Sequence, residues 1–373
     1  MVDPRLAYQA LSSAGITFWT GVPDSLLAPF CAFVADRAPA GSHVIAANEG
    51  GAVALAAGHY IGTTHPALVY LQNSGLGNTI NPLVSLADPE VYAVPMVLLI
   101  GWRGQPGLPD EPQHLRQGAI TCETLDALGV PYRIAPRDER GFSATAATAV
   151  AQAIERSGPV ALIVPKDTFS PFAARAGRAA PALSRESAVI TVADSAPSDA
   201  VIVATTGKAA RELYEYRMRR LGHIESDFLT VGSMGHASQI ALGIALTRED
   251  RPTWVLDGDG SLLMHMGSLA VIAEHAPSSF LHIVLNNGAH DSVGGQPTPT
   301  TSVDFVALAL AAGYRSARAA STEHELSTAI EAVPEGPALI EVRVARGSRP
   351  NLGRPATSPR ENRDALMRWL DPT

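Results

Sequence analysis

Short apolar runs recur along this chain, each ending in a polar, glycine-bearing loop and each followed by residues at helical spacing. Leu6, Ala7, Ala10, Leu11 and Ala14 share one helical face and predict a helix over 4–14. Residues 16–22 predict a strand, with an exit loop at 21–25 and a helix over 26–35 capped by Ser25 or Asp24. A strand at 43–47 leaves through Asn48-Glu49-Gly50-Gly51 into an alanine-rich helix, 52–60. The pattern repeats with a strand at 67–72 and a helix running from the 73–78 loop to about 87. It repeats again with a strand at 95–100 ending in Gly101-Trp102-Arg103-Gly104, and with a helix at 141–156 before a strand at 160–164. Such alternation predicts parallel strands covered by helices, a doubly wound α/β sheet. Ligands of these sheets bind outside the carboxyl ends of the strands, where all the loops just named fall.

Over 172–197 the periodicity gives way to alanine, serine, proline and scattered arginine, which predicts a connector between domains at 1–171 and 198–373. Alternation then restarts. A strand at 200–205 ends in Thr206-Gly207-Lys208 before a helix at 209–219, and a strand at 228–231 leads to Gly232-Ser233-Met234-Gly235-His236 and a helix at 237–246. Two further strands lie in the stretch from Trp254 to Gln296, followed by helices at 302–312 and 323–332 and a last strand at 338–344. The tail from Gly347 holds Arg349, Arg354, Arg360, Arg363 and Arg368 and an amphipathic segment, 362–370. Two doubly wound domains of the same architecture are expected.

Composition agrees with that division. A chain of 373 residues with 46% hydrophobic and 17% charged residues has the core of two globular domains. Its net charge of −8 argues against nucleic acid as a partner, so an anionic ligand must be met by local cations. Cys31 and Cys122 form neither a disulfide framework nor a metal spacing, and a cytoplasmic location is expected. The N-terminal residues lack an apolar core of signal-peptide length. The longest apolar run, 91–102, is interrupted by Pro95 and too short to cross a bilayer, so no membrane partner is expected.

The stretch 254–296 carries the chemistry. An apolar strand ends in Gly258-Asp259-Gly260, and a second ends in Asn286-Asn287, with residues 261–285 between them. Mg²⁺ takes oxygen ligands in octahedral geometry and shares them with phosphates, so one carboxylate, one amide oxygen and a backbone carbonyl suffice from the protein. Asp259, Asn287 and the carbonyl of Ala289 would supply them. Gly258 and Gly260 allow close approach of a diphosphate, and a helix opening at Ser261 offers it unpaired N–H groups. A Gly-Asp-Gly turn alone is common in loops; joined to Asn-Asn at the end of the next strand it points to a metal-held diphosphate.

This pairing resembles the fingerprint of thiamine diphosphate enzymes, which join a pyrimidine-binding domain to a diphosphate-binding domain. The resemblance extends over essentially the whole chain, with no middle domain. It implies that Glu49, at a strand exit followed by small residues, hydrogen-bonds the cofactor's pyrimidine ring and activates it. A plain helix-start glutamate is the alternative, against which the N-E-G-x-A-x-x-x-A-x-G spacing weighs. Gly232-Ser233-Met234-Gly235 resembles the segment that bends the cofactor, with Met234 wedged between its rings and the Gly232 carbonyl accepting from its amino group. A core methionine is the alternative. Thr206 and Ser261 resemble diphosphate contacts, and Asn73 is placed with the cofactor; Lys208 stands where a small hydroxyl residue is common.

The motifs G-V-P-D-S-L-L, Y-L-Q-N-S-G-L-G-N, S-L-A-D-P-E-V-Y, L-L-I-G-W-R-G, D-E-P-Q-H and N-N-G-A-H-D-S-V-G-G-Q-P-T resemble those of the phosphonopyruvate decarboxylase family, with the sulfopyruvate decarboxylases as nearest siblings. That resemblance implies decarboxylation of an anionic 2-oxo acid in phosphonate metabolism by a homo-oligomer with active sites at the subunit interface. Arg103 is the leading phosphonate ligand, since a guanidinium presents paired donors to oxyanions; a solvated loop arginine is the alternative. Ser25, Asp24 and Asn73 lie on neighbouring exits. His114 and His290 are candidates for proton transfer, with hydrogen-bonded structural histidines as the alternative. Arg349 and Arg354 would close over the substrate or form a solvated tail. A catalytically silent nucleotide-binding subunit of the same fold is the rival of another class; Glu49 and the complete motif pair argue against it.

Overall fold

The computed structural model describes residues 1–172, 182–333 and 335–371. Two compact units divide the chain, Met1–Gly177 with His290–Pro297, and Arg178–Ala289 with Thr298–Thr373.

The first unit holds six parallel strands: β1 (Phe18–Gly21), β2 (His43–Ile45), β3 (Ala67–Gln72), β4 (Met96–Gly101), β5 (Tyr132–Ile134) and β6 (Pro159–Val164). Their spatial order is β2-β1-β3-β4-β6-β5. Strands such as β3 are apolar up to their last residue because both faces are covered. Leu68 and Tyr70 pack into one core cluster, while Ala67, Val69 and Leu71 pack into another on the opposite face. Local signals set the helix starts. Asp3 caps Pro4–Ser13, with proline in its first turn, Asn48 caps Glu49–Thr63, and Asp138 caps Glu139–Arg156.

The second unit repeats this plan with β7 (Val201–Ala204), β8 (Asp227–Leu229), β9 (Thr253–Gly258), β10 (Phe280–Asn286), β11 (Ser316–Ala320) and β12 (Ala338–Arg343). Its order is β11-β12-β10-β9-β7-β8, again all parallel. Read from the other edge and numbered within each sheet, both orders are 2-1-3-4-6-5. The expected α/β class, two doubly wound parallel sheets without a middle domain, is therefore the observed one. The exits of β8, β9 and β10 in the second unit correspond to those of β2, β3 and β4 in the first.

Five elements differ from expectation. Strands β5 and β11 are short edge strands with partly exposed residues, so neither carries a continuous apolar run. The helix Pro112–Ala127 buries only Gly118, Thr121 and Leu125, which leaves almost no apolar stripe to read. Within the expected connector, residues 173–181 lie outside the described residues, but Arg185–Ser195 is a helix capped by Ser184. Its Ala188, Val189 and Val192 belong to the second unit's core. The helix at the Gly-Asp-Gly turn begins at Asp259, two residues before Ser261, and ends at Met264. Among the described residues no helix is long and apolar enough to cross a membrane.

The tail is tied down. Arg349 pairs with Glu186 and Glu215, and Arg211 donates to the carbonyls of Leu352 and Gly353. Arg349 is thus part of a strap across the helices Arg185–Ser195 and Lys208–Arg220 rather than a flap over substrate. Arg185 beside it donates twice to Glu212 at 2.9 Å and once to the Gly347 carbonyl at 3.0 Å. The side chains of that pair are only 7% and 1% exposed. Removing one partner of a buried ion pair costs about 3–5 kcal/mol. Arg185→Ala is therefore expected to lower the unfolding free energy measured in urea by that order, and an unchanged value would contradict the strap's structural role.

Candidate active site

In the first unit the exit of β2 delivers Glu49 as the first residue of its helix, after Asn48 accepts from the Gly51 N–H at 2.8 Å. The Glu49 side chain is only 6% exposed, and its Oε2 accepts from Asn78 Nδ2 at 2.7 Å. Burial pushes its pKa up, with Asn78 opposing. Two glycines make room for it. A Cβ on Gly75 would lie 2.4 Å from Glu49 Oε1, and one on Gly50 would lie 2.7 Å from the Asn78 carbonyl. A desolvated carboxyl held in one place suits a group that exchanges a hydrogen bond with a heterocyclic nitrogen.

Asn73, at the exit of β3, does something other than expected. Its Nδ2 donates to the Arg103 carbonyl at 2.8 Å and to Thr121 Oγ1 at 2.9 Å, while its Oδ1 accepts from the Arg103 N–H at 3.1 Å. Both amide hydrogens are engaged within the protein, so Asn73 is a strut between the β3 and β4 exits.

The β4 exit carries Arg103, whose guanidinium donates to both oxygens of Asp110 and, from Nη1, to Ser25 Oγ at 2.9 Å. His114 Nδ1 lies 2.9 Å from the same Asp110 carboxylate. Burial pushes the His114 pKa down while Asp110 pulls it up. Asp24, wholly buried, accepts from the N–H groups of Leu26 and Leu27, and the following helix begins only at Ala28. Burial raises the Asp24 pKa to about 6, opposed by the Leu26 N–H and by Arg103. Among the described residues its Oδ1 has no hydrogen-bond partner. Ser25, Arg103, Asp110, Lys166 and Asp167 line a cavity of about 380 Å³ at the strand exits. Asp110 and Lys166 were not singled out from sequence. Lys166 follows β6 as Arg103 follows β4, so the strand-exit rule applied to every strand would have found it.

In the second unit Asp259 is buried at the exit of β9. Its Oδ2 accepts from Thr298 Oγ1 at 2.6 Å and Thr300 Oγ1 at 2.9 Å. Burial raises its pKa and the two hydroxyls lower it. Thr300 also reaches Asn286 Oδ1 at 3.3 Å, which accepts from the Gly288 N–H at 3.1 Å. Asn287 Oδ1 accepts from the Ala289 N–H at 2.9 Å, and Arg346 donates to the carbonyls of Asn287 and Gly288. Asp259 is thereby linked to the 286–289 loop through Thr300. Among the described residues no three His, Cys, Asp or Glu side chains cluster as a metal group. One carboxylate beside amide and carbonyl oxygens is instead the donor set of a hard cation that completes its shell with phosphate. Thr298 closes the N-N-G-A-H-D-S-V-G-G-Q-P-T motif, but neither it nor Thr300 was given a role, because nothing in P-T-P-T marks a contact to Asp259.

The Gly232-Ser233-Met234-Gly235 turn has left-handed backbone at Gly232, Ser233 and Gly235, with φ of 71°, 46° and 69°. Thr206 Oγ1 accepts from the Gly232 N–H at 3.0 Å, and Ser261 Oγ accepts from the Gly235 N–H at 2.8 Å. The two hydroxyls expected on a diphosphate thus also brace the turn that presents Met234. Gly258 precedes Asp259 and donates its N–H to Asp257, while Gly260 lies buried within the short helix. His290 groups with the first unit; burial depresses its pKa to about 4, and among the described residues its Nε2 has no hydrogen-bond partner.

Comparison with known proteins fits this geometry. A family model described as "Thiamine pyrophosphate enzyme, N-terminal TPP binding domain" matches residues 5–125, and one described as "Thiamine pyrophosphate enzyme, C-terminal TPP binding domain" matches residues 205–342. The chain is 37% identical to the phosphonopyruvate decarboxylase of Streptomyces viridochromogenes, over 94% of this chain and 90% of that protein. It is 36% identical to the phosphonopyruvate decarboxylase of Streptomyces hygroscopicus, over 97% and 92% respectively. A sulfopyruvate decarboxylase of Methanosarcina acetivorans is 32% identical over 67% of each chain.

The threonine pair around Asp259 yields a direct test. Loss of outer partners of a metal ligand lowers metal affinity about 10–100-fold. Replacing Thr298 and Thr300 with Val is expected to weaken Mg²⁺-dependent binding of thiamine pyrophosphate by that order in a fluorescence titration; wild-type affinity would remove the pair from the site.

Proposed function

The chain belongs to the thiamine pyrophosphate enzymes, in the group of the phosphonopyruvate decarboxylases, and we propose that it converts 3-phosphonopyruvate to phosphonoacetaldehyde and CO₂. The observation that carries this reading is identity of 36–37% to two phosphonopyruvate decarboxylases along nearly their whole length, on a chain that matches both thiamine pyrophosphate domain models. Thiamine diphosphate, when bound, supplies the acceptor for the electron pair left as CO₂ departs. Asp259, Asn287 and the Ala289 carbonyl would hold it through Mg²⁺. Met234 and the Gly232 carbonyl would fix its bend, and Glu49 would hydrogen-bond its pyrimidine.

Substrate recognition falls to the β1, β4 and β6 exits. Arg103 and Ser25 orient an anionic group, Lys166 adds a second cation at the same cavity, and Asp24 lies buried behind them. His114, on the Asp110 carboxylate, and His290 are the groups suited to returning a proton to the product carbon. The enzyme works as a homo-oligomer with active sites at the subunit interface, in a cytoplasmic setting consistent with two free cysteines, and serves phosphonate natural-product, including antibiotic, biosynthesis. Sulfopyruvate is the second reading, favoured by the 32% identical sulfopyruvate decarboxylase.

CO₂ release from the two acids separates the readings: kcat/KM is expected to favour phosphonopyruvate, and a preference for sulfopyruvate would overturn the assignment. Glu49→Gln is expected to lower kcat at least about 100-fold while thiamine diphosphate still binds. Near-normal turnover in that variant would take Glu49 out of the mechanism.

A further inference from the structure

We propose that Asp110 is the positioning residue of the acid-binding cavity, its single carboxylate setting the direction of both Arg103 and His114. The inference rests on the reading of that cavity as the place where the substrate's anionic end binds.

Asp110 accepts from five donors. Oδ2 takes Arg103 Nε at 2.9 Å and the Gly104 N–H at 2.7 Å. Oδ1 takes Arg103 Nη2 at 2.5 Å, the Glu111 N–H at 2.7 Å and His114 Nδ1 at 2.9 Å. The two backbone donors tie the carboxylate to the loop on both sides, so it is a fixed post rather than a mobile counter-ion. Burial pushes its pKa up, but hydrogen bonds from Arg103, His114 and Gly104 outweigh that and hold it well below the usual carboxylate range.

A guanidinium has five N–H donors in a rigid plane. Asp110 engages one on Nε and one on Nη2, and Ser25 engages one on Nη1. Each terminal nitrogen therefore keeps one hydrogen, the pair that a phosphonate or carboxylate accepts in bidentate fashion. Swinging Arg103 off Asp110 would lose this alignment, because two of its three side-chain hydrogen bonds go to that carboxylate. For His114, contact at Nδ1 fixes the ring and leaves Nε2 as the nitrogen open to other groups. One carboxylate thus orders an anion-binding edge and a proton-transfer candidate together.

A double-mutant cycle tests this, using whichever 2-oxo acid the wild-type enzyme turns over faster. Asp110→Asn is expected to raise KM about tenfold or more, with a smaller change in kcat and thiamine diphosphate affinity unchanged within about twofold. In an Arg103→Ala background the same substitution should raise KM by less than about threefold, since its target is gone. Independent, multiplicative effects on KM, or a parallel loss of cofactor affinity, would overturn the proposal and leave Asp110 as a loop-closing residue. If Asp110→Asn does not fold, the cycle is run between Arg103→Lys and His114→Gln, which the shared carboxylate makes non-additive; additivity there overturns it equally. A preference for sulfopyruvate would change the substrate assignment without altering either result.

Discussion

A buried carboxylate must be given donors or it will not remain charged, and both units of this protein are arranged around that requirement. Asp259 has two threonine hydroxyls on one oxygen, Glu49 has the Asn78 amide, and the half-buried Asp110 has five donors. Each group sits at or just beyond the carboxyl end of a parallel strand, where the chain leaves the sheet and backbone N–H groups become available. Satisfaction differs in degree among them, and so does the chemistry. Hydrogen bonds hold the Asp110 pKa well below the usual carboxylate range, whereas burial pushes those of Glu49 and Asp24 up.

The shared 2-1-3-4-6-5 strand order explains why two such sites arise within one chain. In each sheet the chain runs outward from its first strand to the second and returns to the other side of the first, opening a crevice at the switch point. The first unit places Glu49 and Asn73 on the exits flanking that crevice, and the second unit places Met234 and Asp259 on the corresponding exits. Beneath the Asp259 turn a further polar chain is fully buried. Asp257 accepts from the Gly258 N–H, His282 lies 3.3 Å from Asp257, and Tyr314 OH lies 3.1 Å from His282. This chain stiffens the turn from below, so the oxygen set is held in shape by side chains from β9 and β10 and from the turn before β11.

Much of this was legible in the sequence. Continuous apolar strands covered on both faces announce themselves, and β3 falls on residues 67–72 as expected. Glycines next to Glu49 and Asp259 were visible as places needing close approach, and the structure gives the reason for Gly75 as well, since a side chain there would collide with the Glu49 carboxyl. Edge strands β5 and β11 and the helix Pro112–Ala127 were not legible, because elements that bury a few scattered residues leave no period to detect. The helix Arg185–Ser195 does bury Ala188, Val189, Val192 and Ala193 at helical spacing, but it stands in an alanine-, serine- and proline-rich stretch that reads as a connector.

The sequence by itself determined the class of fold, the order of its loops and the residue types capable of the chemistry, because apolar periodicity and motif spacing are local properties of the chain. Only the tertiary structure decided which side chains those residues meet. It turned Asn73 from a ligand candidate into a strut, took Arg349 into a strap, brought Thr298 and Thr300 onto Asp259, and set Asp110 between Arg103 and His114. Hydrogen bonds across dozens of residues depend on how strands and loops are brought together in space, and no spacing along a single sequence encodes that.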